Sequence, residues 1–415
     1  MQKSKSAIKK KRKKILLVLD FLEPGGATRI NHDLTKIFSN ADFYLLSGVN
    51  SFGLGIEKEF KCKKKFLYKL SKTQGLLLYT ENIFKSFLMV FSAFRQETFD
   101  TVILNVPYSS LGVLMNPLVW KCRKIYFFHG VWFLEQDSAR DYFHNKNGVR
   151  TASRIKIALS RIKSKSEYIV QKTCLALSDK VVVFSNYSNS LLKDTFGIRK
   201  EKVVKLLPPV DFGRFLPKKT IDLDLKKRIF GLEKTKIFLV PSRIEPRKGI
   251  HLLLEAIKFL KTFRNNIQII CCGPIGDNAY VLELFGKCKD NDLFNLVKFI
   301  PTLKREKLFE YYQAVDFVIM PSIDLETLGM ITIESLYFGV PVIAYKNGAS
   351  SEVLGGLNKL FLVDKQDAKD LALRISKLAD LSSRDIEKLR NEARIRGITY
   401  CNVELFLKEF LKLID

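Results

Sequence analysis

The segment Ser242-Arg243-Ile244-Glu245-Pro246-Arg247-Lys248-Gly249-Ile250 sets cations and a glycine where an apolar run gives way to helical spacing. Such a strand–loop–helix junction gathers backbone N–H groups and the positive end of a helix dipole, which suits a phosphate. Ile250, Leu253, Leu254 and Ile257 follow i, i+3, i+4, i+7 spacing, so the helix is expected to begin directly after Gly249. Arg243 and Lys248 can neutralise a diphosphate without a metal, and Gly249 lets a ligand approach the backbone closely. The spacing is not that of a P-loop, because no Gly-Lys-Ser/Thr stands at the required distance. Further along, Glu326 and Glu334 lie eight residues apart, about 12 Å in a helix. Facing glycosidase carboxylates need roughly 5–9.5 Å, so a hydrolytic acid/base pair is disfavoured. Two separate tasks fit better, each carboxylate accepting hydroxyls of a sugar or a ribose. Diphosphate on one side and hydroxyls on the other describe a nucleotide-sugar. The ordinary alternatives are a solvated βα turn, a helix N-terminal acid at Glu326 and an exposed helix residue at Glu334.

Twelve short apolar, β-rich runs are placed to position these groups, each followed by a helix-like stretch. The first six are 14–20, 42–46, 101–105, 124–129, 180–185 and 203–208; the second six are 236–241, 267–273, 297–300, 316–321, 340–345 and 360–363. Near-continuous apolar strands alternating with helices predict parallel sheets covered on both faces. Two such sets predict two doubly wound, Rossmann-like domains with a cleft beyond the carboxyl ends of their strands. The expected division is a basic disordered tail at 1–14, a first domain at 15–212, a second at 213–395, and a C-terminal helix at 396–415 packing back on the first domain.

The chain has 415 residues and a formal net charge of +27, of which residues 1–212 carry +20. A strong positive field attracts nucleic acid, anionic lipid or phosphorylated substrate, and charge alone does not choose among them. Arg150, Arg154, Lys156, Arg161, Lys163, Lys165 and Lys172 alternate with Ile155, Ile157, Leu159, Ile162 and Ile169. That pattern fits either a basic amphipathic helix on an anionic membrane surface or a solvated helix over the core. The apolar run after the tail is too short for a signal peptide, and Asp20 and Glu23 interrupt it. No stretch is long and apolar enough for a transmembrane helix. Seven cysteines without a Cys-x-x-Cys and four scattered histidines predict a reduced, cytoplasmic protein with no structural metal.

Arg243-x4-Lys248-Gly249, then Pro321-Ser322-x3-Glu326-x7-Glu334 and Phe338-Gly339-Val340-Pro341-Val342, resemble the C-terminal half of family 4 retaining glycosyltransferases with the GT-B fold. In the first half, Pro24-Gly25-Gly26-Ala27-Thr28-Arg29, His129-Gly130, Phe184-Ser185-Asn186-Tyr187 and Pro209-Val210-Asp211-Phe212 are similar to that family's loops and interdomain linker. The resemblance implies that Arg243 and Lys248 bind the donor diphosphate, Glu334 the ribose hydroxyls and Glu326 the hydroxyls of the transferred sugar. It implies that His129 meets the donor sugar from the opposite domain. It also implies that Gly25 and Gly26 offer backbone near the diphosphate or acceptor, and that the amides of Gly329, Met330 and Ile331 help hold the phosphates. Departures occur at Leu328 (commonly Phe), at Pro301 (commonly Gly) and at Asn347-Gly348-Ala349-Ser350. The expected activity is metal-independent, cofactor-free transfer of a hexose-type sugar from a nucleoside diphosphate donor to a glycan or lipid-linked acceptor. Its expected setting is cell-surface polysaccharide or glycolipid synthesis at the inner face of the membrane. A nucleotide-sugar epimerase of the same fold is the neighbouring alternative. A nucleic-acid-binding protein is the alternative from another class, and the chain lacks the signatures it would need, so no nucleic acid partner is expected.

Overall fold

Parallel strands buried on both faces form two separate sheets. The computed structural model describes residues 12–22, 25–49, 56–71, 76–134, 154–260, 266–364 and 366–415, so most of the expected basic tail and Arg150 lie outside the described residues. The first sheet contains β1 (Lys13–Phe21), β2 (Ala41–Val49), β3 (Lys64–Lys69), β4 (Thr101–Leu104), β5 (Arg123–Phe127), β6 (Lys180–Val183) and β7 (Val203–Lys205), in the order β3-β2-β1-β4-β5-β6-β7. The second contains β8 (Lys236–Pro241), β9 (Ile267–Cys272), β10 (Val297–Ile300), β11 (Phe317–Met320), β12 (Val342–Tyr345) and β13 (Leu362–Val363), in the order β10-β9-β8-β11-β12-β13. Every recorded pairing is parallel, with Ile15 opposite both Phe43 and Thr101 at the centre of the first sheet.

In the first domain α1 (Gly26–Ile37) covers one face, while α2 (Leu76–Phe94), α3 (Pro107–Met115), α4 (Arg154–Leu177) and α5 (Asn186–Phe196) cover the other. In the second, α6 (Leu223–Phe230) precedes the sheet and α7 (Ile250–Leu260), α8 (Asn278–Asp290) and α12 (Ala368–Ala379) share one core. The opposite face carries α9 (Arg305–Ala314), α10 (Met330–Tyr337) and α11 (Ser350–Leu354). Leu253, Leu254 and Ile257 of α7 are fully buried, as their spacing predicts.

Two differences from the expected elements have physical reasons. β3 is absent from the twelve expected runs because it is a charged edge strand. Phe66 and Tyr68 point inward while Lys64 and Lys69 are exposed, and edge lysines deter pairing with another chain. The C-terminal segment is two helices, not one returning helix. In α13 (Ser383–Tyr400) Gly397 packs so closely on α10 that a Cβ would stand 2.1 Å from the Tyr337 nitrogen. Only α14 (Val403–Ile414) crosses back, where Phe410 packs edge-on against Phe38 and Phe127 of the first domain. Between the sheets, Phe212 stacks on Tyr337 at 3.6 Å and pins the linker to the second domain. No helix among the described residues is long and apolar enough to cross a membrane.

Candidate active site

The carboxyl ends of both sheets face a cleft of about 1160 Å³. On the second-domain wall, β8 runs into Ser242-Arg243 and a 3-10 turn at Pro246–Lys248, after which Gly249 adopts φ +67°. A Cβ there would lie 1.9 Å from the Pro321 carbonyl oxygen, so glycine is required by both conformation and space. The close approach brings Lys248 beside the loop after β11, where its Nζ is 2.6 Å from Glu326 Oε1. Ser322 Oγ donates to the same oxygen at 3.0 Å. Burial pushes the Glu326 carboxyl up, but the Lys248 charge and hydrogen bond more than reverse this, holding it below the usual carboxylate range. Gly348, at φ +58°, lets the Asn347–Ala349 turn pass directly beneath Glu326, whose carbonyl accepts from Ala349 N at 2.7 Å. A Cβ on Gly348 would meet that carbonyl oxygen at 2.3 Å.

Gly329 (φ +77°) precedes α10, so the first-turn amides of Met330 and Ile331 lie at the cleft without intrahelical carbonyl partners. Opposite them, Gly25 is the N-cap of α1, and a Cβ on Gly26 would be 3.8 Å from Met330 Cγ. The starts of α1 and α10 therefore converge across the cleft, adding two helix-dipole positive ends to Arg243 and Lys248.

His129 follows β5, with its Nε2 2.9 Å from Asn105 Oδ1. That oxygen also accepts from Asn31 Nδ2 at 2.6 Å, while Asn105 Nδ2 donates to the Val18 carbonyl at 3.1 Å. With the amide thus oriented, Nε2 carries the proton and Nδ1 is left as an acceptor, an assignment from the network of partners. Burial pulls the imidazole down to about 3, so it is neutral at physiological pH. Asp20, at the end of β1, accepts from Ser109 N at 2.6 Å; burial pushes its carboxyl up to about 6 against the pull of Ser109 and Asn82.

The cleft is lined by Gly25, Gly26, His129, Arg243, Lys248, Glu326, Gly329, Met330 and Ile331. Glu334 is not among the lining residues. Its carboxylate is fully buried, and both oxygens accept from Arg29 Nη1 of α1, at 2.8 and 2.7 Å. Beside it, Arg305 of α9 grips Asp33 of α1 with two guanidinium nitrogens, and Asp33 Oδ2 also accepts from Asp211 N of the linker at 2.9 Å. Sequence reasoning missed this crosswise quartet. Its signal is the i, i+4 spacing of Arg29 and Asp33, which puts a cation and an anion on one face of α1. Thr327 makes a further bridge, donating to the His129 carbonyl at 2.6 Å and accepting from Ser188 Oγ at 2.8 Å. Glu352 of α11 makes another, accepting from the Asn186 and Tyr187 amides of α5, each at 3.0 Å. Among the described residues no His/Cys/Asp/Glu group is arranged to hold a metal.

Residues 223–396, which lie largely in the second domain, match the family model described as Glycosyl transferases group 1. The D-inositol 3-phosphate glycosyltransferase of Geodermatophilus obscurus is 27% identical over 223 residues, covering 52% of this chain and 48% of that protein. The lipopolysaccharide 1,2-N-acetylglucosaminetransferase of Salmonella typhimurium is 25% identical over 243 residues, covering 56% of this chain and 62% of its own. The chain thus spans about half to three fifths of the length of these relatives. The crystal structure of Anabaena HepE in complex with UDP and glucose superposes with a TM-score of 0.73 at 18% identity, over 97% of this chain and 99% of that one. The two facing Rossmann-like domains are the GT-B fold.

Proposed function

We propose that the protein is a retaining, metal-independent glycosyltransferase. It moves a hexose-type sugar from a nucleoside diphosphate donor to a hydroxyl of a glycan or lipid-linked acceptor, in the cytoplasm at the membrane where cell-surface polysaccharide or glycolipid is built. The Lys248–Glu326 pair beneath two converging helix starts carries this reading. Arg243, Lys248 and the amides of Met330 and Ile331 receive the charge that develops as the bond from the anomeric carbon to the diphosphate breaks. The acceptor oxygen forms the new bond on the same face of the sugar, and its proton passes to the departing diphosphate. Glu326 accepts hydroxyls of the transferred sugar, and His129 offers Nδ1 from the other wall. For Glu334 to accept ribose hydroxyls, its ion pair with Arg29 has to open.

The test is a donor screen with UDP-, GDP- and ADP-sugars plus a cell lipid extract, reading released nucleoside diphosphate with and without EDTA. Release with one donor, insensitive to EDTA and lost in the Lys248→Ala variant, is expected. No release with any donor, or release undiminished by that substitution, sinks the reading. The anomeric configuration of the product, read by NMR, separates retention from inversion.

A further inference from the structure

The helical layer α2–α3–α4 of the first domain has an outer surface that its own fold does not explain. Leu77, Phe84, Leu88 and Phe91 fall within a narrow arc of α2, and all four are exposed, Leu77 to 69% and Phe84 to 62%. A helix over a sheet ordinarily turns its apolar arc inward, and α2 does so separately, through Val90 and Ala93. In the second half of the same helix, the Phe87 carbonyl accepts from Asn116 Nδ2 at 3.0 Å, which fixes the end of α3 and the turn after it against α2. That turn adds Met115, Leu118 and Trp120, the last 64% exposed with its indole N–H held by the Leu114 carbonyl at 3.2 Å.

Across α3, helix α4 is turned the same way. Its buried side presents Glu167, Gln171 and Cys174, while Ile162 and Ile169 face outward beside Lys165 and Lys172. Lys163 lies over the Tyr79 ring of α2 at 5.3 Å, so the two helices belong to one surface. Helix α4 carries six Lys or Arg in sequence and a single acid, Glu167, which is fully buried. On α2 the one acid, Glu81, is neutralised by Lys85 at 2.6 Å.

We propose that this face seats the protein on an anionic lipid bilayer, with the α2 stripe, Leu118 and Trp120 entering the headgroup–acyl boundary and the α4 cations meeting the lipid charge. Exposed apolar arcs flanked by lysines and a tryptophan are the chemistry of an interfacial surface. A second copy of the chain fits worse, since two such cationic faces repel. The helix, about 28 Å long, lies along the surface and does not cross it. Its first residue follows β3 at the carboxyl edge of the sheet, so the stripe begins at the cleft end of the domain. The proposal goes beyond the enzymatic reading and stands on surface geometry and charge alone.

The test is co-sedimentation of the full chain with phosphatidylcholine vesicles and with vesicles containing one third phosphatidylglycerol. Wild-type protein is expected to pellet with the anionic vesicles and to remain largely bound at about 0.5 M NaCl, where charge contacts are screened beyond a few ångströms. The Phe84→Gln/Leu88→Gln/Trp120→Gln variant is expected to bind about tenfold or more weakly, with an unchanged far-UV spectrum and thermal midpoint. Brominated lipid is expected to quench wild-type tryptophan fluorescence and to lose that quenching in Trp120→Phe. Absence of pelleting at low salt overturns the proposal, as does equal pelleting of the triple variant. Loss of binding at high salt assigns the contact to cations alone and removes the apolar insertion. A wild-type dimer that the triple substitution splits makes the face a self-association surface and overturns the proposal.

Discussion

Glu326 and Glu334 belong to one eight-residue spacing, each is held by a basic side chain, and the two are in opposite situations. Glu326 finds its cation, Lys248, in its own domain, and the pair lines the cleft. Glu334 finds Arg29 in the other domain, has no exposed surface and lies outside the cleft lining. The first pair is preorganised for chemistry, since its charges are already fixed where a ligand would arrive. The second couples the domains, because opening the cleft separates its members. Spacing therefore does not assign a carboxylate its task; the domain that supplies its counter-charge does.

The largest effect expected from breaking this contrast is on catalysis. Lys248→Ala removes a cation from the cleft and leaves Glu326 without its main partner. Nucleotide release should fall about 10²–10³-fold, with little change in how the two domains associate; a fall below fivefold would make the pair structural. Arg29→Ala should act instead on stability, by about 3 kcal/mol in denaturant unfolding, because it removes both hydrogen bonds to a fully buried carboxylate and leaves it only Arg305, 3.8 Å away. The double variant Arg29→Met/Glu334→Gln should recover most of that loss, and strictly additive single effects would show that the two residues do not couple.

Proton linkage next separates two groups on the first-domain wall. Asp20 is held at about 6 in the fold against a reference of 3.8. Its protonated form thus favours the folded state, and the stability it gives at pH 4 is lost as pH rises through 6. Relative to Asp20→Asn, wild type should lose about 2 kcal/mol between pH 4 and pH 6. His129, lowered to about 3 from 6.5, acts in the opposite sense: the fold loses stability as pH falls from 6.5 toward 3. Its ring proton shift should stay flat in NMR spectra from pH 5 to pH 8, and an inflection in that range would contradict a buried neutral imidazole. The smallest effect belongs to Thr327→Val, which removes the hydroxyl's bond to the His129 carbonyl and should cost about 1 kcal/mol; an unchanged unfolding midpoint would show that the hydroxyl adds nothing to the contact its carbonyl makes with Ser188.

Much of this arrangement was legible in the chain. The run 236–241 coincides with β8, buried from Ile237 onward, because a strand covered on both faces is apolar almost throughout. Gly249 announced itself through the helix that starts behind it. What the chain hid were features fixed by residues remote in sequence. β3 reads as a lysine-rich loop until β2 is beside it. Arg29 and Glu334 are separated by 305 positions, and neither residue type reveals that the other will neutralise it. Exposed Phe84 and Leu88 likewise look like core residues to any reading based on periodicity, and only the folded surface shows them facing out.

The Glu352 contact has a dynamic consequence. Because a carboxylate of the second domain supplies the hydrogen-bond acceptors for the first two amides of α5, every parting of the domains gives those two amides up to water while the Ser185 cap on Ser188 N stays in place. Hydrogen–deuterium exchange at Asn186 and Tyr187 should therefore run at the rate of hinge excursions, giving the molecule an internal clock for how often its cleft stands open.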